Sequence, residues 1–160
     1  MLTCSARSVV FNQLCSAVIC WGEQMNSQHL NDFCSRWLNA WTGNRPEKLI
    51  QFYSDDTYYR DPARADGIRG KKPLFEYFSK LLSKNPEWVW TAKEIIPTAK
   101  GFVLKWAATI PTASASVTVE GLDILELSDD RITRNEVYFD RSTLLSASKT
   151  RTVDLAQHPH

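Results

Sequence analysis

The spacing of hydrophobic residues changes once along this chain, and that change limits the folds open to it. Up to Asn85-Pro86 the apolar side chains recur every three or four residues; beyond it they alternate. Leu30, Phe33, Cys34, Trp37, Leu38 and Trp41 make one helical face, with Ser27 suited to cap its start and Gly43 to end it. A shorter helix is predicted from Pro46, burying Leu49, Ile50 and Tyr53 or Phe52. A third is marked by Leu74, Phe75, Phe78, Leu81 and Leu82 and follows the polar turn ADGIRGKK. Residues 88–96, 102–110, 116–127 and 131–139 then read as four strands separated by PTAKG, PTASA and SDD turns. Helices first and hairpin-linked strands second imply an α+β domain, its helices packed on one face of an antiparallel sheet.

At 160 residues, 43% of them hydrophobic, the chain can bury one core. Residues 1–24 carry Arg7 ahead of a partly apolar run that Asn12 and Gln13 interrupt, with no small-residue cleavage site, and are too polar to span a bilayer. They are expected to be an accessory leader, with the folded domain over 25–148 and a flexible tail over 149–160. Nineteen basic residues against eighteen acidic ones give no field to attract nucleic acid or an anionic membrane. Cys4, Cys15, Cys20 and Cys34 form no CxxC pair, and His29, His158 and His160 lack zinc spacing, so free thiols, a cytoplasmic location and no metal are expected.

Two acids stand where the pattern asks for apolar groups. In YYRDPA, strand alternation puts Thr57, Tyr59 and Asp61 on one side, and proline fixes Asp61 at the end of the run. In Val117, Val119, Gly121, Asp123, Leu125, Leu127, Asp123 falls on the buried parity, unless a bulge at Gly121 shifts it. A buried carboxyl must be paired, hydrogen-bonded or protonated. Phe102, Leu104, Trp106, Ala108 and Ile110 line the facing strand, and five tryptophans in one small domain exceed what packing usually requires.

Together RWLNAWTGN, LIQFYSDDTYYRDPA, GIRGKKPLFEYF, GLDILEL and RITRNEVYFDR resemble the SnoaL-like branch of the nuclear transport factor 2-like superfamily, over roughly residues 28–147. The resemblance implies a cone: a strongly curved sheet wrapped by three helices around a pocket, dimerising through the sheet's outer face. Within that superfamily, the ketosteroid isomerases use an aspartate before proline as general base, and a tyrosine with a protonated late-strand aspartate as oxyanion hole. Asp61 and Asp123 match the two aspartates. Arg60 stands where the acid before the base would be, and Trp37 stands where the tyrosine would be, so steroid isomerisation in particular is not implied. Epoxide hydrolysis of the limonene type is not implied either, because Lys105, Ala107 and Val137 occupy its charged positions.

The catalytic candidates are therefore Asp61, Asp123 and Tyr59, and the ligand-contacting candidates Trp37, Trp41, Phe78, Trp90, Trp106 and Asn135. Two functions follow: a cofactor-independent isomerase or cyclase acting on a small hydrophobic carbonyl compound, or a non-catalytic binding or dimerisation module of the same shape. The plainer alternatives are a turn-forming Asp61, an Asp123 bonded to backbone at a bulge, tryptophans that only fill the core, and Arg134, Glu136, Asp140 and Arg141 as surface charges.

Overall fold

The computed structural model describes residues 27–111, 116–142 and 144–145, so the expected leader over 1–24 and tail over 149–160 lie outside the described residues. Helix α1 (Ser27–Ala40) buries Leu30, Phe33, Cys34, Trp37 and Leu38, the stripe its sequence spacing dictates. It ends where Gly43 and Asn44 turn to positive φ of 81° and 51°, and the Arg45 guanidinium donates to Asn39 and to the Thr42 carbonyl. Helix α2 (Pro46–Leu49) opens on proline and runs into a 3-10 turn, Ile50–Phe52. Helix α3 (Lys71–Lys84) buries Leu74, Phe78 and Leu82, and the Asn85 amide donates back to the Leu81 carbonyl at its end.

Strands β1 (Tyr53–Asp61), β2 (Arg64–Arg69), β3 (Val89–Thr98), β4 (Gly101–Pro111), β5 (Ser116–Ser128) and β6 (Arg131–Phe139) form one curved, open sheet in the order β2-β1-β6-β5-β4-β3. The helices pack on one face of it, giving the α+β cone architecture. Two details differ from the sequence reading. Part of the polar ADGIRGKK turn is strand β2, a short edge strand with a single buried residue, Ile68. The sheet is also mixed, because β1 runs parallel to β6, with Tyr59 opposite Asn135. A parallel pair needs a long crossover, and α3 with the β3–β5 meander supplies it. The register of β1 slips against both neighbours, between Tyr53 and Tyr58 on one side and between Tyr59 and Asp61 on the other, and bends the sheet there.

Pairing of β4 with β5 is unbroken, so no bulge disturbs the parity of Asp123. Leu104 faces Asp123, Trp106 faces Gly121 and Ala108 faces Val119 on the inner side. The inner face meets α1 through Phe33, whose ring stands edge-on to Phe102 at 6.0 Å. The β5–β6 hairpin turns through Asp129 and Asp130 at φ of 49° and 58°, a left-handed pair that suits a tight hairpin. Among the described residues no helix is long and apolar enough to cross a membrane.

Gly121 has a packing role. A Cβ there would lie 2.5 Å from the Trp106 ring and 2.7 Å from the Tyr138 carbonyl oxygen, and a backbone carbonyl cannot swing away. Gly121→Ala is therefore expected to destabilise the fold by about 1–3 kcal/mol through overpacking, measured by urea denaturation, with a change in the near-ultraviolet tryptophan spectrum. An unchanged midpoint would show that β5 has slack at this position.

Candidate functional site

The inner face of the sheet and the helices α1 and α3 enclose a cavity of about 130 Å³. Trp37 comes to it from α1 and Trp41 from the turn just after it, Tyr77 and Leu81 from α3, Trp88 from just before β3, Trp90 from β3 and Trp106 from β4. Asp61 and Tyr59 enter from β1, and Asp123 from β5. Both singled-out carboxyls thus line one space. Successive indoles are steeply inclined: Trp37 to Trp41 by 82°, Trp41 to Trp90 by 52° and Trp90 to Trp106 by 74°. They wall the space rather than stack across it.

Asp61 divides its two oxygens between folding and the cavity. Oδ1 accepts the backbone N–H groups of Ala63 (2.7 Å) and Arg64 (2.9 Å), closing the reversal into β2, as Asp-Pro steps commonly do. Oδ2 accepts the hydroxyls of Tyr59 (3.0 Å) and Tyr77 (2.5 Å). Four donors around two oxygens is the surrounding that suits a carboxylate. Burial, with the Asp61 charge nearby, raises the Tyr59 hydroxyl well above its ordinary value; burial, the Asp61 hydrogen bond and its charge raise Tyr77 likewise. Both phenols therefore remain protonated donors.

Asp123 is 3% exposed and accepts the Trp106 indole Nε1–H on Oδ1 at 2.7 Å. Burial pushes its carboxyl up to about 7; the Trp106 and Asn135 donors work against that shift, and the Asp61 charge adds to it. Neither aspartate is in an ion pair among the described residues. The two carboxyls thus differ: one is saturated with donors, the other is poised to exchange a proton near neutrality.

The remaining predicted residues lie behind the wall. Phe78 is fully buried beneath it, 4.9 Å from the Trp41 ring and 5.3 Å from those of Tyr53 and Tyr59. Asn135 is buried as well and donates to the Tyr53 hydroxyl at 3.2 Å. Neither lines the cavity. Trp37 does, but its indole nitrogen is buried without a formed hydrogen bond among the described residues, towards the Tyr53 hydroxyl. Arg141, expected at the surface, lines the cavity and donates to the Pro62 carbonyl at 3.2 Å. Glu136 is 8% exposed beneath Arg134 and Tyr138, both of which donate to it. Tyr77 escaped the sequence reading although it sits three residues after Leu74 and four before Leu81, inside the helical stripe. No group of three or more metal-ligating side chains occurs among the described residues.

Residues 34–135 match the family model of the SnoaL-like domain. Among solved structures, a ketosteroid isomerase-like protein from Catenulispora acidiphila, in complex with trimethylamine, superposes with a TM-score of 0.65 at 19% identity, covering 74% of this chain and 92% of that one. A candidate SnoaL-like polyketide cyclase from Jannaschia sp. CCS1 gives 0.64 at 11% identity, covering 79% and 96%. Another from Shewanella putrefaciens gives 0.65 at 14%, covering 76% and 86%. No curated protein matches the sequence.

The position of Asp123 has a consequence for stability. Its folded-state value, about 7, lies above the ordinary one of 3.8, so the folded chain keeps a proton that the unfolded chain has lost over that interval. Its contribution to stability is full below the unfolded value, falls as pH rises and is gone above the folded value. Asp123→Asn is expected to flatten the loss between pH 4 and 7 by up to about 4 kcal/mol, read from denaturant titrations at several pH values. Superimposable pH profiles for the two proteins would mean that Asp123 is solvated or paired.

Proposed function

The chain belongs to the SnoaL-like domain family, and on that footing we propose that its cavity binds a small, largely apolar molecule carrying a carbonyl group and moves a proton on it. The observation that carries this reading is the convergence of Asp61 and Asp123 on one tryptophan-walled space. Asp61 takes a proton from the carbon beside the carbonyl, and the electron pair of that C–H bond passes into the enolate. Asp123, in its neutral form, hydrogen-bonds the oxygen on which the charge develops. Return of the proton to a different carbon would be an isomerisation, and attack of the enolate on a second carbonyl a cyclisation. No cofactor enters either sequence. Tyr59 holds Asp61 from within the core, whereas the half-buried Tyr77 hydroxyl is the donor that can turn away and free a lone pair on Oδ2.

Size restricts the guest. A cavity of about 150 Å³ takes one benzene, so 130 Å³ holds a group of roughly five or six non-hydrogen atoms at a time. A steroid could not lie wholly inside it, and the trimethylamine complex of the Catenulispora protein supports a small guest.

A second reading, a binding module without chemistry, is favoured by the four donors already on Asp61. Incubation with cyclohexanone in heavy water separates the two. Deuterium should enter next to the carbonyl faster than in buffer, seen by proton NMR, and Asp61→Asn should reduce the rate to background. Binding without exchange would leave the module reading in place.

We also propose a homodimer through the outer face of the sheet, where Val89, Ile96, Ile124 and Tyr138 are 36–50% exposed and point away from the helices. Sedimentation velocity should give twice the chain mass, and Ile124→Lys should shift the protein to monomer. A monomeric parent at micromolar concentration would remove this proposal.

A further inference from the structure

The cavity has an unusual combination of lining groups. Eight of its sixteen described lining residues are aromatic, five of them tryptophans, and its acidic groups are the two carboxyls of Asp61 and Asp123, with two hydroxyls serving Asp61. The ring quadrupole makes an aromatic face negative, and rings set at steep angles around one point attract a positive charge from several sides. Trp37, Trp41, Trp90 and Trp106 all line the cavity, each inclined to the next by 52–82°. Neither carboxyl has a cationic partner within ion-pair distance among the described residues. The lining contains no lysine, and its single arginine, Arg141, is engaged with the Pro62 carbonyl.

We propose that the ligand of this cavity carries a small alkylammonium group, seated against the indoles that line the cavity and held by the charge of Asp61. This rests on the reading of the cavity as a small-molecule site and narrows the class of guest. Arrangement and charge point the same way: a buried carboxyl without a counterion is costly, and an ammonium group whose hydration is replaced by ring faces supplies that counterion without needing a hydrogen bond. A trimethylammonium head with a short arm also fits 130 Å³, whereas its hydrated form would not. The carbonyl required for proton transfer would then sit on the arm, towards Asp123.

The test compares a cation with its neutral isostere in the full-length protein. Choline and 3,3-dimethylbutan-1-ol have the same shape and differ by one positive charge. Binding followed by tryptophan emission and by calorimetry should favour choline at least tenfold, and tetramethylammonium should compete with it. Asp61→Asn, which keeps the shape of the side chain, should shrink the preference for choline over the alcohol several-fold. Equal affinity for the two probes, or binding of cyclohexanone and the alcohol with none of choline, would overturn the ammonium assignment while leaving the small-molecule site intact. Failure of all these probes, cyclohexanone included, would overturn the assignment and the site together.

Discussion

The hydrogen bond from the Trp106 indole to Asp123 organises the interior of this protein. It spans from β4 to β5, and it exists because the residue facing Trp106 is Gly121, which lets the large ring lie flat over the neighbouring strand. With that ring in place, Trp90 packs edge-on against it at 4.9 Å, and Trp41 packs on Trp90 at 5.7 Å. A chain of aromatic contacts thus runs from the sheet to α1, and the cavity is the space these rings leave. The same bond keeps Asp123 partly satisfied in surroundings that would otherwise exclude it. A fold built only for stability would place a leucine at that position; the acid at this depth is a cost that packing does not require.

Asp61 shows why a turn residue and a reactive residue need not be alternatives. Its Oδ1 closes the β1–β2 reversal and its Oδ2 meets two tyrosines at the cavity. The fold therefore fixes the orientation of the carboxyl twice, from the backbone of the turn and from the buried Tyr59 hydroxyl. A side chain held in this way loses little further freedom when a ligand arrives, the condition for precise placement of a reacting group.

Much of this was legible from the residues. The alternation of β5 up to Asp123 has no interruption, so counting by twos placed Asp123 on the inner face, and the α1 stripe gave Trp37 and, just past the helix end, Trp41. What escaped has physical causes. Strand β2 has one buried residue, Ile68, and five others with no apolar period to betray it. The parallel partnership of β1 with β6 is not local and leaves no mark on either segment alone. Periodicity also assigns a face but not a depth: Phe78 and Asn135 point inward as expected, yet stop behind the cavity wall. Arg141 lies beyond the last strand, where no period predicts that the chain folds back over the mouth.

The β1–β6 pairing bears on how the site comes into being during folding. Helices and the β3–β4–β5–β6 hairpins are built from near neighbours and need only short loops to close. Strand β1 must find β6 across most of the domain, and Tyr59 comes to lie beside Asn135 only when it does. Contacts so distant in sequence carry the greatest loop-closure entropy and slow the search. Asp61 stands on one side of that seam and Asp123 on the other. The two carboxyls are therefore brought into one space by the least local pairing in the domain, so a chain that has formed its hairpins but not this seam has secondary structure and no site.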